Sequence, residues 1–125
     1  MAERTGEVRK KRIIVGATGA SGSPLLLQCL QLIREAAEYE SWLVMSESAR
    51  LTMEEETGMP SSEAEKLADH VLEPGDIGAG PASGSFRTEG MLIVPCSMKT
   101  VAGICSGYAD NLILRAADVT IKEQR

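Results

Sequence analysis

A chain of 125 residues, 43% hydrophobic and 25% charged, has the make-up of one soluble α/β or α+β domain and leaves little room for a second core. Eighteen acidic against thirteen basic side chains leave a net charge of −5. That balance argues against a nucleic-acid surface, and the basic run Arg9-Lys10-Lys11-Arg12 reads as part of a solvated, disordered tail over residues 1–10.

Three cysteines without ligand spacing and a single histidine, His70, exclude a zinc set. No run approaches the ~18 apolar residues of a membrane span, and no leader-like segment is present. The expectation is a reduced, cytoplasmic protein with free thiols, no metal and no membrane partner.

One domain is then expected over residues 11–125. Ile13-Ile14-Val15, closed by Gly16, has the β-branched pattern of a buried strand. "GATGASGS" follows, and "PLLLQCLQLIREAAEY" (24–39) predicts a helix with Leu26, Leu30 and Ile33 on one face and Pro24 in its first turn. "SWLVM" (41–45) predicts a second strand. A helix then opens near Ser46 and stops at Gly58.

"PSSEAEKLADHVLEP" holds Ser-x-x-Glu ahead of apolar residues, a short helix with a capping box. Residues 74–90 are glycine-rich and read as a long loop, a length more often functional than ornamental. A strand over 91–95 and a helix from Ser97 to Gly107 follow. "NLILRAADVTIKEQR" reads as a helix or turn running towards another strand. Alternating strands and helices predict a parallel sheet with helices on both faces, in three layers.

In such sheets ligands bind at the carboxyl ends of the strands. Two of those ends here are "GATGASG" and "PCSMKT". The first is Gly-x-x-Gly-x-x-Gly (Gly16, Gly19, Gly22), neither a dinucleotide fingerprint nor a P-loop. Its small residues let backbone amides and a helix dipole approach an anion, with Ser21 and Ser23 as hydroxyl donors. The second adds Ser97, Thr100 and the charge of Lys99, and Ser46 opens a third helix at the same edge. Each has an ordinary reading: turn punctuation, a solvated lysine, a plain N-cap. Three hydroxyl-bearing helix starts on one edge favour a phosphate site.

Four strings, "GATGASGSPLLLQCLQLIR", "LVMSESARLTMEEET", "ASGSFRTEGMLIVPCSMKTVAGICSGYADNL" and "RAADVTIKE", together resemble the UbiX-like flavin prenyltransferases, from Lys11 to the end. The group includes the flavoproteins that accompany phenolic-acid decarboxylases, and Pro24 after "GASGS" resembles that subgroup. The resemblance implies a flavodoxin-like, Rossmann-like domain that binds reduced FMN and dimethylallyl phosphate. It joins the prenyl group to the flavin without a metal, and the product serves a partner UbiD-type decarboxylase. A large symmetric homo-oligomer is also implied.

By the same resemblance Gly19, Ala20, Ser21, Ser46, Ser97, Met98, Lys99 and Thr100 match FMN contacts. Ser21 and Glu56 match positions of the chemistry, Arg115 and Lys122 match cations on the phosphate side of the prenyl site, and Ala82 and Ser83 fall in a segment expected to line the prenyl pocket. Left to themselves, Arg115 is a surface helix arginine and Lys122 a strand-end lysine.

Members of that family continue past "KE-R" into another buried strand and later residues of the phosphate site. The chain therefore reads as a fragment or truncated product, or as a domain completed by a partner. The alternative function is a non-catalytic FMN-binding subunit of a hydroxyarylic acid decarboxylase complex. A flavin-dependent cysteine decarboxylase ranks below both, because His70 lies in the wrong segment for that chemistry.

Overall fold

The computed structural model describes residues 9–125; the expected tail lies, for residues 1–8, outside the described residues. The chain forms β1 (Lys11–Ala17), α1 (Ser23–Glu35), β2 (Tyr39–Met45), α2 (Glu47–Thr57), α3 (Ser62–Leu67), β3 (His70–Leu72), β4 (Gly90–Ile93), α4 (Met98–Ser106) and α5 (Leu112–Lys122). The four strands form one parallel sheet in the order β3-β2-β1-β4. This is the expected flavodoxin-like α/β fold.

Strand alternation sorts the core into two faces. On one, Val15, Ala17, Leu43 and Met45 pack against Leu26, Leu30 and Ile33 of α1, Ala49 and Met53 of α2, and Ala64 of α3. On the other, Val44 packs against Leu112 and Ile113 of α5, with Met91 and Ile93 at the margin. The i, i+4, i+7 spacing in α1 makes this possible: Leu26 and Leu30 are fully buried, each removing about 1.5–3 kcal/mol of apolar side chain from water.

Four expectations need correction. Helix α1 ends at Glu35 rather than Tyr39, because Tyr39 pairs with Lys11 to open β2. The segment read only as a short helix also carries β3, where Val71 and Leu72 pair with Leu43 and Val44; sheet pairing overrides local helix preference there. The capping box does not form. Its serine, Ser62, is already the first helical residue, and the cap position falls to Ser61, which has helical backbone angles and no cap bond. The Glu65 of the box is taken by Arg50 at 2.6 Å, which also donates to the Ser61 hydroxyl at 3.3 Å. Finally, "NLILRAADVTIK" is one helix, so Lys122 ends a helix and not a strand.

The long loop is tied down at both ends. The Leu112 amide donates to the Pro74 carbonyl at 2.9 Å. Phe86 meets Trp42 edge-on at 4.8 Å under the Arg12 guanidinium, 4.0 Å from the Phe86 ring centre. Arg125 donates to the carbonyls of Gly84 at 2.7 Å and Phe86 at 3.0 Å. Cation–π contact and carbonyl capture thus order a segment that has one 3-10 turn, Gly80–Ala82.

Candidate functional site

β1 and β4 are neighbours in the sheet although β2 and β3 lie between them in sequence. The connections after β1 and β4 therefore diverge at the carboxyl edge and leave a crevice. A cleft of about 280 Å³ lies there, lined by Thr18, Gly19, Ser46, Ser48, Pro74, Ser97, Lys99, Thr100, Asn111, Ile113 and Leu114. Gly19 permits a close approach of two walls, since a Cβ there would lie 2.6 Å from Ser48 Cβ.

Three helices aim their N-termini at this cleft, and each cap residue lines it. Ser46 accepts from the Ala49 amide at 3.1 Å, Ser97 from Thr100 at 3.2 Å, and Asn111 from Leu114 at 2.9 Å. The partial positive ends of α2, α4 and α5 add there. Proton accounting leaves donors over. Ser46 spends a lone pair on its cap and keeps its hydroxyl hydrogen. Ser97 and Thr100 share one hydrogen between oxygens 2.9 Å apart, so one of their two remains for a ligand. Among these lining residues Lys99 alone is charged. The donor set suits a phosphate, and Ile113 and Leu114 supply an apolar wall.

Thr18 joins the two strand ends. Its amide and hydroxyl donate to the Pro95 carbonyl at 3.0 and 3.1 Å, and its hydroxyl accepts the Ser97 amide at 2.7 Å. The start of α1 behaves differently from the other helix starts, because an anion already occupies it. The Glu56 carboxylate accepts from Gly22 N at 3.2 and 3.3 Å and from Ser23 N at 3.0 Å. Led by the Ser23 amide, then the Ser23 hydroxyl and the Gly22 amide, with a smaller help from the Ser21 hydroxyl, hydrogen bonding holds the Glu56 carboxyl below its ordinary range. The Ala20 amide is also taken, by the Thr18 carbonyl at 2.9 Å.

Gly19, Ser46, Ser97, Lys99 and Thr100 thus come together in the cleft. Ala20, Ser21 and Met98 do not line it, and Met98 is 79% exposed. Ser21 and Glu56 meet each other across the α1 N-terminus. Arg115 and Lys122 are exposed on α5, outside the cleft. Ala82 packs near Val44 and Leu112, and Ser83 is exposed and bonded to Ser85 at 2.9 Å.

Thr18, Ser48 and Asn111 escaped the sequence reading. Asn111 had a signal, an Asn directly before an apolar helical run. Thr18 had its place in the strand end "GATGASG", and Ser48 had no signal, since only the fold brings it to the cleft. Burial raises the Cys96 thiol pKa, and a hydrogen bond from Tyr108 to Asp110, with the latter's charge, raises that of Tyr108. Among the described residues no cluster of His, Cys, Asp or Glu is arranged to hold a metal ion, and no helix is long and apolar enough to cross a membrane.

Known proteins match this arrangement. A family model described as Flavoprotein matches residues 1–125. A probable UbiX-like flavin prenyltransferase of Streptomyces sp. (strain D7) is 53% identical over 114 residues, 91% of this chain and 57% of the relative. Two solved structures superpose closely. The AnUbiX complex with FMN and dimethylallyl pyrophosphate has a TM-score of 0.90 at 47% identity, covering 94% of this chain and 62% of that one. A dodecameric FMN-dependent UbiX-like decarboxylase from Escherichia coli O157:H7 has a TM-score of 0.89 at 52% identity, covering 91% and 62%. The chain thus spans roughly three-fifths of the length of these relatives. With a family model matched along its whole length, the chain belongs to the Flavoprotein family.

Proposed function

We propose that this chain is the FMN-binding part of a flavin prenyltransferase, which moves a dimethylallyl group from dimethylallyl phosphate to reduced FMN. Its product would serve a UbiD-type aromatic acid decarboxylase. The observation that carries the reading is the convergence of three capped helix N-termini and Lys99 on the cleft between β1 and β4. The 47% identity to a chain solved with FMN and dimethylallyl pyrophosphate supports it.

In this reading Ser46, Ser97, Thr100 and Lys99 hold the FMN phosphate, and Gly19 keeps the wall close. When bound, reduced FMN supplies the ring atoms that take the prenyl group. Arg115 and Lys122, two turns apart on α5, lie on one side of that helix. Cations there would stabilise the charge gathering on a departing phosphate. Ser21 and Glu56, at the α1 N-terminus, take part in the chemistry, with the Glu56 carboxyl held below its ordinary range, and Ala82 and Ser83 border the prenyl side. No metal enters the reading. A homo-oligomer, as in the dodecameric relative, and a cytoplasmic setting complete it.

A second reading, a non-catalytic FMN-binding subunit, is favoured by one observation. Arg115, Lys122, Ala82 and Ser83 all lie outside the cleft. One experiment separates the two. The chain and a full-length relative are each incubated with FMN, dithionite and dimethylallyl phosphate, and the flavin is weighed by mass spectrometry. A prenylated mass from this chain or from the full-length relative supports the transferase, even where this chain alone retains FMN of unchanged mass; bound FMN of unchanged mass from both supports the subunit; no retained flavin overturns both.

A further inference from the structure

We propose that Thr18 is a positioning residue that sets the preference of the cleft for a phosphorylated flavin over an unphosphorylated one, an inference that rests on the FMN reading. Thr18 is only 5% exposed, and its hydroxyl hydrogen is already spent. The one hydrogen goes to the Pro95 carbonyl at 3.1 Å, and a lone pair takes the Ser97 amide at 2.7 Å. Thr18 lines the cleft, but with its hydrogen spent it has no hydroxyl donor left for a phosphate oxygen, so it acts on a phosphate through its neighbours.

Its neighbours are the anion donors themselves. Ser97 caps α4 and passes the connection on to Thr100, and both line the cleft with Lys99. The junction before α4 has two other anchors to β1, both backbone bonds that stop short of Ser97: the Val94 amide donates to the Gly16 carbonyl at 2.8 Å and the Thr18 amide to the Pro95 carbonyl at 3.0 Å. Pro95 has no amide hydrogen, and the Cys96 thiol makes only a long contact, 3.7 Å, to the Ser97 carbonyl. Thr18 therefore pins the start of α4 to the end of β1 across 79 residues of chain. Bonds to a phosphate are short and directional, so a small shift of α4 weakens them. Contacts to a flavin ring, apolar and broad, tolerate the same shift.

Thr18→Val keeps the shape and removes both hydroxyl bonds, leaving the Ser97 amide without its acceptor. Wild type, Thr18→Val, Thr18→Ser and Thr18→Cys are titrated with FMN and with riboflavin by flavin fluorescence, alongside thermal melting and hydrogen exchange at the Ser97 amide. The Val variant is expected to lose about tenfold in FMN affinity and under about twofold in riboflavin affinity. The Ser97 amide should exchange faster in it, and Ser should restore the wild-type ratio. Should the Val variant not fold, Cys, a weaker acceptor, carries the comparison. An unchanged FMN-to-riboflavin ratio, including a case where both affinities fall with the melting temperature, overturns the inference. If wild type binds no FMN, the FMN reading falls instead. The exchange of the Ser97 amide without ligand then decides whether Thr18 holds α4: lost protection supports it, and unchanged protection overturns it.

Discussion

Glu56 illustrates how a single carboxylate changes the meaning of a glycine-rich turn. The amides of Gly22 and Ser23, which "GASGS" presents as an anion cradle, are satisfied from within by a side chain more than thirty residues away. A carboxyl whose folded pKa lies below its unfolded value adds stability above the unfolded value and loses it as pH falls through the folded one. For Glu56 the ordinary value is 4.5 and the shift is downward. Wild type should therefore exceed Glu56→Gln in urea midpoint near pH 7, and the gap should close as the pH is taken below 4.5. A gap that stays constant down to pH 3, about the bottom of the carboxylate range, would show that the charge is irrelevant. Nothing local in the sequence announces this cap. Resemblance alone singled Glu56 out, and only the fold shows what it touches.

Among the elements, helices with local caps were legible and those shaped by neighbours were not. Ser46 and Gly58 bound α2, and Ser97 and Gly107 bound α4, as their side chains and glycines predict. The end of α1, the strand β3 and the absent capping box of α3 all depended on partners distant in sequence. Ser97 has two duties, capping α4 and facing the cleft, and a substitution can separate them. Aspartate is a good N-cap and favours a helix start, yet it brings a negative charge to a phosphate site. Ser97→Asp should keep or raise the melting temperature while FMN affinity drops by at least about tenfold. If affinity stays at the wild-type level, Ser97 is a cap and nothing more.

Taken as a whole, the molecule is covered unevenly. β4 pairs only with β1 among the described residues, so its outer edge carries backbone groups open to pairing. Leu92 on that strand is 44% exposed and Ile121 on α5 62% exposed. On the face of β4 opposite Leu92, Met91 and Ile93 line a largely apolar groove of about 180 Å³ with Ile104, Ala117, Thr120 and Ile121. An open edge with apolar neighbours favours association. Leu92→Lys should reduce concentration-dependent association of the 125-residue chain in sedimentation, at little cost in melting temperature. Association that is undiminished by the lysine would place the contact elsewhere.

By itself the sequence determined what local chemistry can express: a buried β-branched strand, amphipathic spacing in α1, hydroxyl and glycine signals at helix ends, and the parallel sheet that their alternation demands. It also placed Gly19, Ser46, Ser97, Lys99 and Thr100 at strand ends that must share an edge. Only the tertiary structure decided which of those groups keep a free donor. Thr18 spends its hydroxyl joining β1 to α4, Glu56 fills the first helix start, and Asn111 brings a third helix to the cleft. The physical reason is that a hydrogen bond made across 79 or 33 residues depends on packed distances, and local residue patterns carry no record of them.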